Sequence, residues 1–253
     1  MKIEGINLRD LPVGTNILDL DIPPALELSI DTGVPWLNES IGGGATPSSA
    51  WLVTGWPGAG KTTGMIQCAD AVTGAGHLAL FNTAEESPLQ VRKVVKRLGL
   101  KNGFEIGQNR LVPEILEHAE KLRAMNPGKR LFMFLDSLQT LDDGKYANGS
   151  TNQNTQVRAA EMITSYCKAE WADFPIAFII GQVRKDGTFA GKELVKHAVD
   201  GHAHLSMETD EKSEYCGYRL WEIQKNRFGP AGGMYVLKME SNGLHVARNV
   251  YGL

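Results

Sequence analysis

The stretch from Trp51 to Thr63 leaves the backbone few options. Trp51-Leu52-Val53-Thr54 is an apolar, β-prone run. Gly55-Trp56-Pro57-Gly58-Ala59-Gly60-Lys61-Thr62 then gives the spacing G-x-x-x-x-G-K-T, and Met65, Ile66, Ala69 and Val72 follow with a helical period. A strand must therefore pass through a glycine-rich loop directly into a helix. Glycines at 55, 58 and 60 let backbone N–H groups converge without β-carbons in the way, and the helix turns its positive end toward whatever they hold. This is a phosphate-binding loop in the context it requires. The expected ligand is a nucleoside triphosphate bound by Gly55, Trp56, Pro57, Gly58, Ala59, Gly60, Lys61, Thr62 and Thr63. Lys61 is expected at the β- and γ-phosphates, the Thr62 hydroxyl on Mg²⁺, and Thr63 at the α-phosphate.

The rest of the chain is consistent with an α/β domain built on that unit. Its 253 residues, 42% of them hydrophobic, suffice for one core. The net charge of −3 gives no global attraction to nucleic acid or membrane, so any such binding must rest on a local basic patch. Cys68, Cys167 and Cys216 are widely spaced and form no C-x-x-C pair. They suggest free thiols in a reducing compartment. With no basic-then-apolar leader and no apolar run near membrane-span length, a cytoplasmic protein is expected.

Residues 1–27 contain Pro12, Pro23 and Pro24 between short apolar pieces and are expected to form an arm, lying on its own domain or on a neighbouring subunit. The domain proper is expected over 28–253. Strands are predicted at 77–81, 131–136 and 176–180, and helices at 88–98, 113–125 and 156–171. Polar loops separate them at 142–154 and 183–192. Three strand-like segments, 202–207, 218–224 and 234–239, close the chain. This order predicts a mostly parallel sheet with an antiparallel C-terminal extension.

Several polar residues end predicted strands, where ligands bind in sheets of this kind. Asp136 closes the apolar run 131–135 and is placed to hold the Mg²⁺ shell, although an acid there also serves as a turn cap. Glu85 and Glu86 leave the strand after the phosphate-loop helix. One of them, with Glu85 favoured, is expected to orient or deprotonate the attacking water. Gln182 is placed either to sense the γ-phosphate or merely to bond loop backbone.

The combination of Gly55 to Thr62, Ala84-Glu85-Glu86-Ser87, Leu135-Asp136-Ser137-Leu138-Gln139-Thr140, Gly187 to Gly191 and Lys225-Asn226-Arg227-Phe228-Gly229 resembles the ATPase core of the RadA (Sms) family of bacterial recombination proteins. The resemblance runs from about Leu28 to Leu244. It implies a RecA-like fold, a hexameric ring, ATP and Mg²⁺ as ligands, and action on single-stranded DNA in recombination, repair or replication, with proteins of those processes as further partners. It also implies that Lys225 and Arg227 approach the phosphates of ATP held by a neighbouring subunit, or couple that nucleotide to DNA. Gln182 stands where the family usually has histidine, and Ala84 where it has glycine. No paired cysteines precede the core and the sequence ends at Leu253, so the family's zinc module and protease-like C-terminal domain are expected to be missing.

DNA contact is expected in the two polar loops, through Lys145 in the first and Arg184, Lys185 and Lys192 in the second, with Tyr146 and Phe189 as stacking surfaces. His202 and His204 alternate as on a strand face, and no third ligand accompanies them, so no transition metal is assigned. The competing functions are a KaiC-like regulatory ATPase acting on proteins, which also carries paired glutamates, and a DnaB-like replicative helicase.

Overall fold

The computed structural model describes residues 13–146, 149–169, 173–183 and 193–249. Its centre is a nine-stranded sheet in the order β3-β2-β4-β5-β1-β6-β7-β8-β9. The strands are β1 (Ala50–Gly55), β2 (Leu78–Thr83), β3 (Glu105–Gly107), β4 (Leu131–Asp136), β5 (Ile176–Gln182), β6 (Gly201–Met207), β7 (Arg219–Asn226), β8 (Met234–Glu240) and β9 (Gly243–Asn249). Every pairing from β3 across to β6 is parallel. Those joining β6 to β7, β7 to β8 and β8 to β9 are antiparallel.

Two-residue alternation sorts the apolar side chains onto two buried faces. Trp51, Val53, Phe81, Phe132, Phe134, Phe178 and Ile180 share one core with helices α2 (Pro35–Ser40), α3 (Lys61–Gly74) and α4 (Pro88–Leu98). Leu52, Leu80, Met133, Leu135 and Ile179 share the other with α5 (Val112–Met125), α6 (Gln153–Cys167) and α7 (Leu194–Ala198). The result is the three-layer, RecA-like α/β architecture. In register across the first face stand Phe81, Phe134, Phe178 and Trp51. The Phe134 and Phe178 rings stack at 5.5 Å. The ladder ends at Gly201, opposite Trp51, where a β-carbon would overlap the indole ring. Small size at that position is a packing requirement.

The strands and longer helices largely follow the predicted pattern, with differences at α6, β3, α7 and β9. Helix α6 begins at Gln153, because the Asn152 side chain accepts from the N–H groups of Asn154 and Thr155 while Thr155 bonds back. It ends at Cys167, ahead of the predicted end. Strand β3 is three residues long, too short for an alternation to be read. Helix α7 and strand β9 are also additions to the predicted elements.

N-terminal to α2 lie a 3-10 turn (Ile17–Asp19) and a short helix, α1 (Pro24–Glu27). Arg130 Nη2 donates to the Ala25 carbonyl at 2.9 Å, tying this segment to the start of β4. Among the described residues no helix is long and apolar enough to cross a membrane. Cys68 and Cys167 are buried and Cys216 is exposed, all as free thiols.

Candidate nucleotide site

Register brings four strand ends to one edge of the sheet. Gly55 pairs with Gln182, Thr83 with Asp136, and Asp136 with Ile180. The strand β5 separates the phosphate-loop strand from the strand that ends in Asp136.

Between β1 and α3 the chain turns through Gly58 and Gly60, both at positive φ. Gly60 is the N-cap of α3 in the left-handed region at φ 108°, and a β-carbon there would also strike the Met239 side chain. The backbone conformation therefore requires glycine, whereas the Met239 methyl ends a flexible side chain that can shift. No side chain caps α3, so its first N–H groups face the loop. Lys61 Nζ donates to the carbonyls of Gly55 at 2.7 Å and Trp56 at 3.0 Å. Burial holds its pKa below the usual lysine value, against the opposing pull of Asp136 and Glu85.

Thr62 Oγ1 donates to Asp136 Oδ2 at 2.6 Å. Asp136 is buried, and burial pushes its carboxyl up to about 6, with Glu85 and Glu86 adding to the rise and the Thr62 bond and Lys61 opposing it. Its peptide bond to Ser137 is cis. The hard oxygens of Thr62 and Asp136 suit Mg²⁺, which takes few protein ligands beside phosphate and water. A cation there would also relieve the crowding of carboxylates. Among the described residues no group of three or more His, Cys, Asp and Glu side chains is arranged for a metal ion.

The paired glutamates have different surroundings. Thr83 Oγ1 accepts the N–H of Glu86 and donates to its carbonyl, fixing the turn after β2. Ser87 then caps α4 with a reciprocal bond from Gln90. This turn sends Glu85 across the sheet edge, where its carboxylate accepts from the Ser137 hydroxyl and from Gln182 Nε2 at 3.0 and 3.3 Å. Gln139 extends the network, since its Oε1 accepts the backbone N–H of Gln182 at 3.2 Å while its buried Nε2 has no partner among the described residues. Thr62, Asp136, Glu85 and Gln182 are thus brought together. Ser137 and Gln139 belong with them, although the sequence marks them only as neighbours of Asp136.

Lys225 and Arg227 lie elsewhere. Gly201 pairs with both Trp51 and Asn226, so this motif is level with the start of β1, about 13 Å along the strand direction from Gly55. It occupies the edge opposite the phosphate loop of the same chain. A register shift between His202 and Ala203, with Gln224 as the extra residue, turns Lys225 onto the face of His202. There Lys225 Nζ donates to the carbonyls of Lys196 at 2.7 Å and Val199 at 2.6 Å, at the end of α7. Arg227 Nη1 donates to Asp200 Oδ1 at 3.1 Å. Asp200 is almost fully buried; it also accepts from Lys168 Nζ at 2.6 Å and from the N–H of Ala50 at 3.1 Å. No sequence pattern singles out Asp200, because its partners come from β1, the end of α6 and the segment after β7.

His202 and His204 flank the Thr54 hydroxyl at 2.7 and 2.9 Å. Burial lowers the pKa of His202 to about 3 and that of His204 in the same direction. They form a neutral hydrogen-bonded set joining β1 to β6. Of the residues expected to touch DNA, Lys145 lies over the Tyr146 ring at 5.9 Å, and the Arg158 guanidinium is at the same distance from that ring. Arg184, Lys185, Phe189 and Lys192 fall outside the described residues.

No model of a known protein family matches the chain. Curated proteins do. The DNA repair protein RadA of Aquifex aeolicus is 34% identical over 215 residues, covering 84% of this chain and 45% of that protein. Over this span the chain is similar to proteins of the RadA family. RadA of Mycolicibacterium smegmatis is 31% identical over 256 residues, covering 100% of this chain and 52% of the relative. RadA of Bacillus subtilis is 31% identical over 220 residues, covering 86% and 45%. The chain spans about half the length of these relatives. Each of these relatives is named as a DNA repair protein.

Proposed function

We propose that this chain hydrolyses ATP at the P-loop and uses the energy to move on or remodel single-stranded DNA, in a homo-oligomeric ring where each site is completed by a neighbour. The observation that carries this reading is the division of the machinery between two edges of one sheet. Thr62, Asp136, Glu85 and Gln182 converge on the phosphate loop, while Lys225 and Arg227 stand at the opposite edge. Placed head to tail, one subunit offers its cationic edge to the next subunit's nucleotide.

In this reading Lys61 and the uncapped α3 terminus bind the phosphates. Thr62 and Asp136 hold Mg²⁺, which supplies charge neutralisation for phosphoryl transfer. Glu85 takes the proton of the attacking water; Ser137 and Gln182 orient its carboxylate. Gln182 is also placed to report the state of the terminal phosphate to the loop that follows it, where Arg184, Lys185 and Lys192 would meet DNA with Lys145. Arg227, supplied in trans, stabilises transition-state charge, a contribution of roughly 10³ to 10⁵ in related systems.

The test is ATP turnover with and without single-stranded DNA for the wild type, Lys61→Ala, Arg227→Ala and an equimolar mixture of the two variants. Each variant alone is expected to be inactive. Random assembly in the mixture joins an intact phosphate loop to an intact neighbouring arginine at about a quarter of the interfaces, so activity returns to about that fraction. A mixture no more active than its components refutes the trans arrangement, and turnover indifferent to DNA refutes the DNA motor in favour of a regulatory ATPase.

A further inference from the structure

The phosphate loop has two flanks. Beyond β5 on one side stand the carboxylates at the end of β4 and after β2, so a nucleotide whose terminal phosphate faces them lays its nucleoside toward the other side, where β6, β7 and β8 follow in order. The residue that meets the loop from that side is Arg219, at the start of β7. It pairs with Met207, two residues beyond Leu205, the partner of Gly55. Arg219 therefore stands level with the loop itself. It shares strand parity with Trp221 and Ile223, which face the core containing α3.

Its partners are neutral. Nε donates to the Ala59 carbonyl at 3.3 Å, inside the phosphate loop, and Nη1 to the Gly217 carbonyl at 2.7 Å. A guanidinium has five N–H donors, so donors remain. Arg123, Arg158 and Arg227 each have a carboxylate, Asp173, Asp143 and Asp200 respectively. Among the described residues Arg219 joins no ion pair. Arg130, also held by carbonyls, lies at the far edge of the sheet. A partly buried cation fixed to the rim of an anion-binding loop without its own counter-ion is arranged for an anionic ligand.

The wall beside it is built to stay in place. Met239 of β8 lies against Gly60 and Leu244 of β9 against Gly64. Gln67 of α3 accepts the N–H of Leu244 at 2.8 Å and donates to its carbonyl at 3.4 Å. The β8–β9 hairpin thus fastens the first turns of α3.

We propose that Arg219 is a nucleotide-binding residue acting within its own subunit, neutralising the phosphates nearest the nucleoside. This rests on the nucleotide reading of the site and adds a cation on the flank away from the carboxylates. Because the contact does not involve the terminal phosphate, it serves diphosphate and triphosphate equally.

The experiment is equilibrium binding of fluorescent mant-ADP and mant-ATP to the wild type and to Arg219→Ala, Arg219→Gln and Arg219→Lys over a series of salt concentrations. The Ala and Gln variants are expected to bind both nucleotides roughly tenfold or more weakly, by a common factor and with a shallower salt dependence, while Lys restores most of the affinity. Wild-type affinity in all three variants overturns the proposal. Restoration by Gln as full as by Lys also overturns it, reducing Arg219 to a structural tie on Ala59. A wild-type protein that binds neither nucleotide overturns the reading of the whole site and this role with it.

Discussion

Replacing Asp136 by asparagine tests the electrostatics of the site with a sign opposite to that of most carboxylate substitutions. Burial, reinforced by Glu85 and Glu86, raises this carboxyl from 3.8 to about 6. Between those values the folded protein keeps a proton that the unfolded chain has released, so stability falls as pH rises through the window and the full cost is present above pH 6. Roughly two pH units correspond to ~3 kcal/mol at most. Asparagine keeps an acceptor for the Thr62 hydroxyl and carries no charge at any pH. Without nucleotide and metal, Asp136→Asn should therefore be the more stable protein at pH 8, by up to ~6–12 °C in Tm, with the difference closing toward pH 4. Thermal unfolding in EDTA from pH 4 to 8 measures it. Added Mg²⁺ and ATP should then stabilise the wild type and leave the variant little changed. A variant less stable than the wild type at pH 8, or a difference independent of pH, refutes the reasoning.

Glu85→Gln should bind ATP and lose at least ~10²-fold in turnover, whereas Glu86→Gln should stay within a few-fold of the wild type; single-turnover hydrolysis with parallel nucleotide binding decides, and the reverse order would assign the base to Glu86. Lys168→Ala should leave nucleotide affinity unchanged but lower DNA-stimulated turnover several-fold, with Lys168→Arg restoring it. Equal turnover in Lys168→Ala and the wild type would show that the Asp200 cluster has no part in the activity.

What could be read in the sequence divides along a physical line. The phosphate loop is contiguous, its glycines have local conformational reasons, and the apolar strands beside it are buried on both faces, so 131–136 and 88–98 emerge with the bounds seen in the structure. Asp136, Glu85 and Gln182 were legible because each follows an apolar run, and parallel strands bring their ends to a common edge. The sequence favours Glu85 over Glu86, and the structure parts them by the Thr83 turn, a local hydrogen-bonded detail with no pattern in the sequence. Asp200 and Arg219 were illegible for a different reason: each depends on partners far away in sequence, and a buried acid or a strand-end arginine has no periodic signature. β3 and β9 lie at the sheet edges, where one neighbour is missing and burial imposes less pattern.

The polarity of the sheet explains why the proposed reaction needs two copies of the chain. Lys225 and Arg227 stand at the amino edge of the strand that carries the phosphate loop, and no rotamer change spans the length of β1. The bulge at Gln224 directs Lys225 toward the end of α7, and Asp200 holds Arg227 half-exposed at the surface. Asp200 is nearly fully buried, so an arginine that left it for a neighbour's phosphate would strand a carboxylate if it were the sole partner. It is not the sole partner, because Lys168 Nζ sits at 2.6 Å from the same oxygen. The second cation lowers the cost of moving Arg227 outward. In the proposed ring, Lys168 therefore acts through Arg227, which is why its replacement should slow turnover and leave nucleotide binding intact.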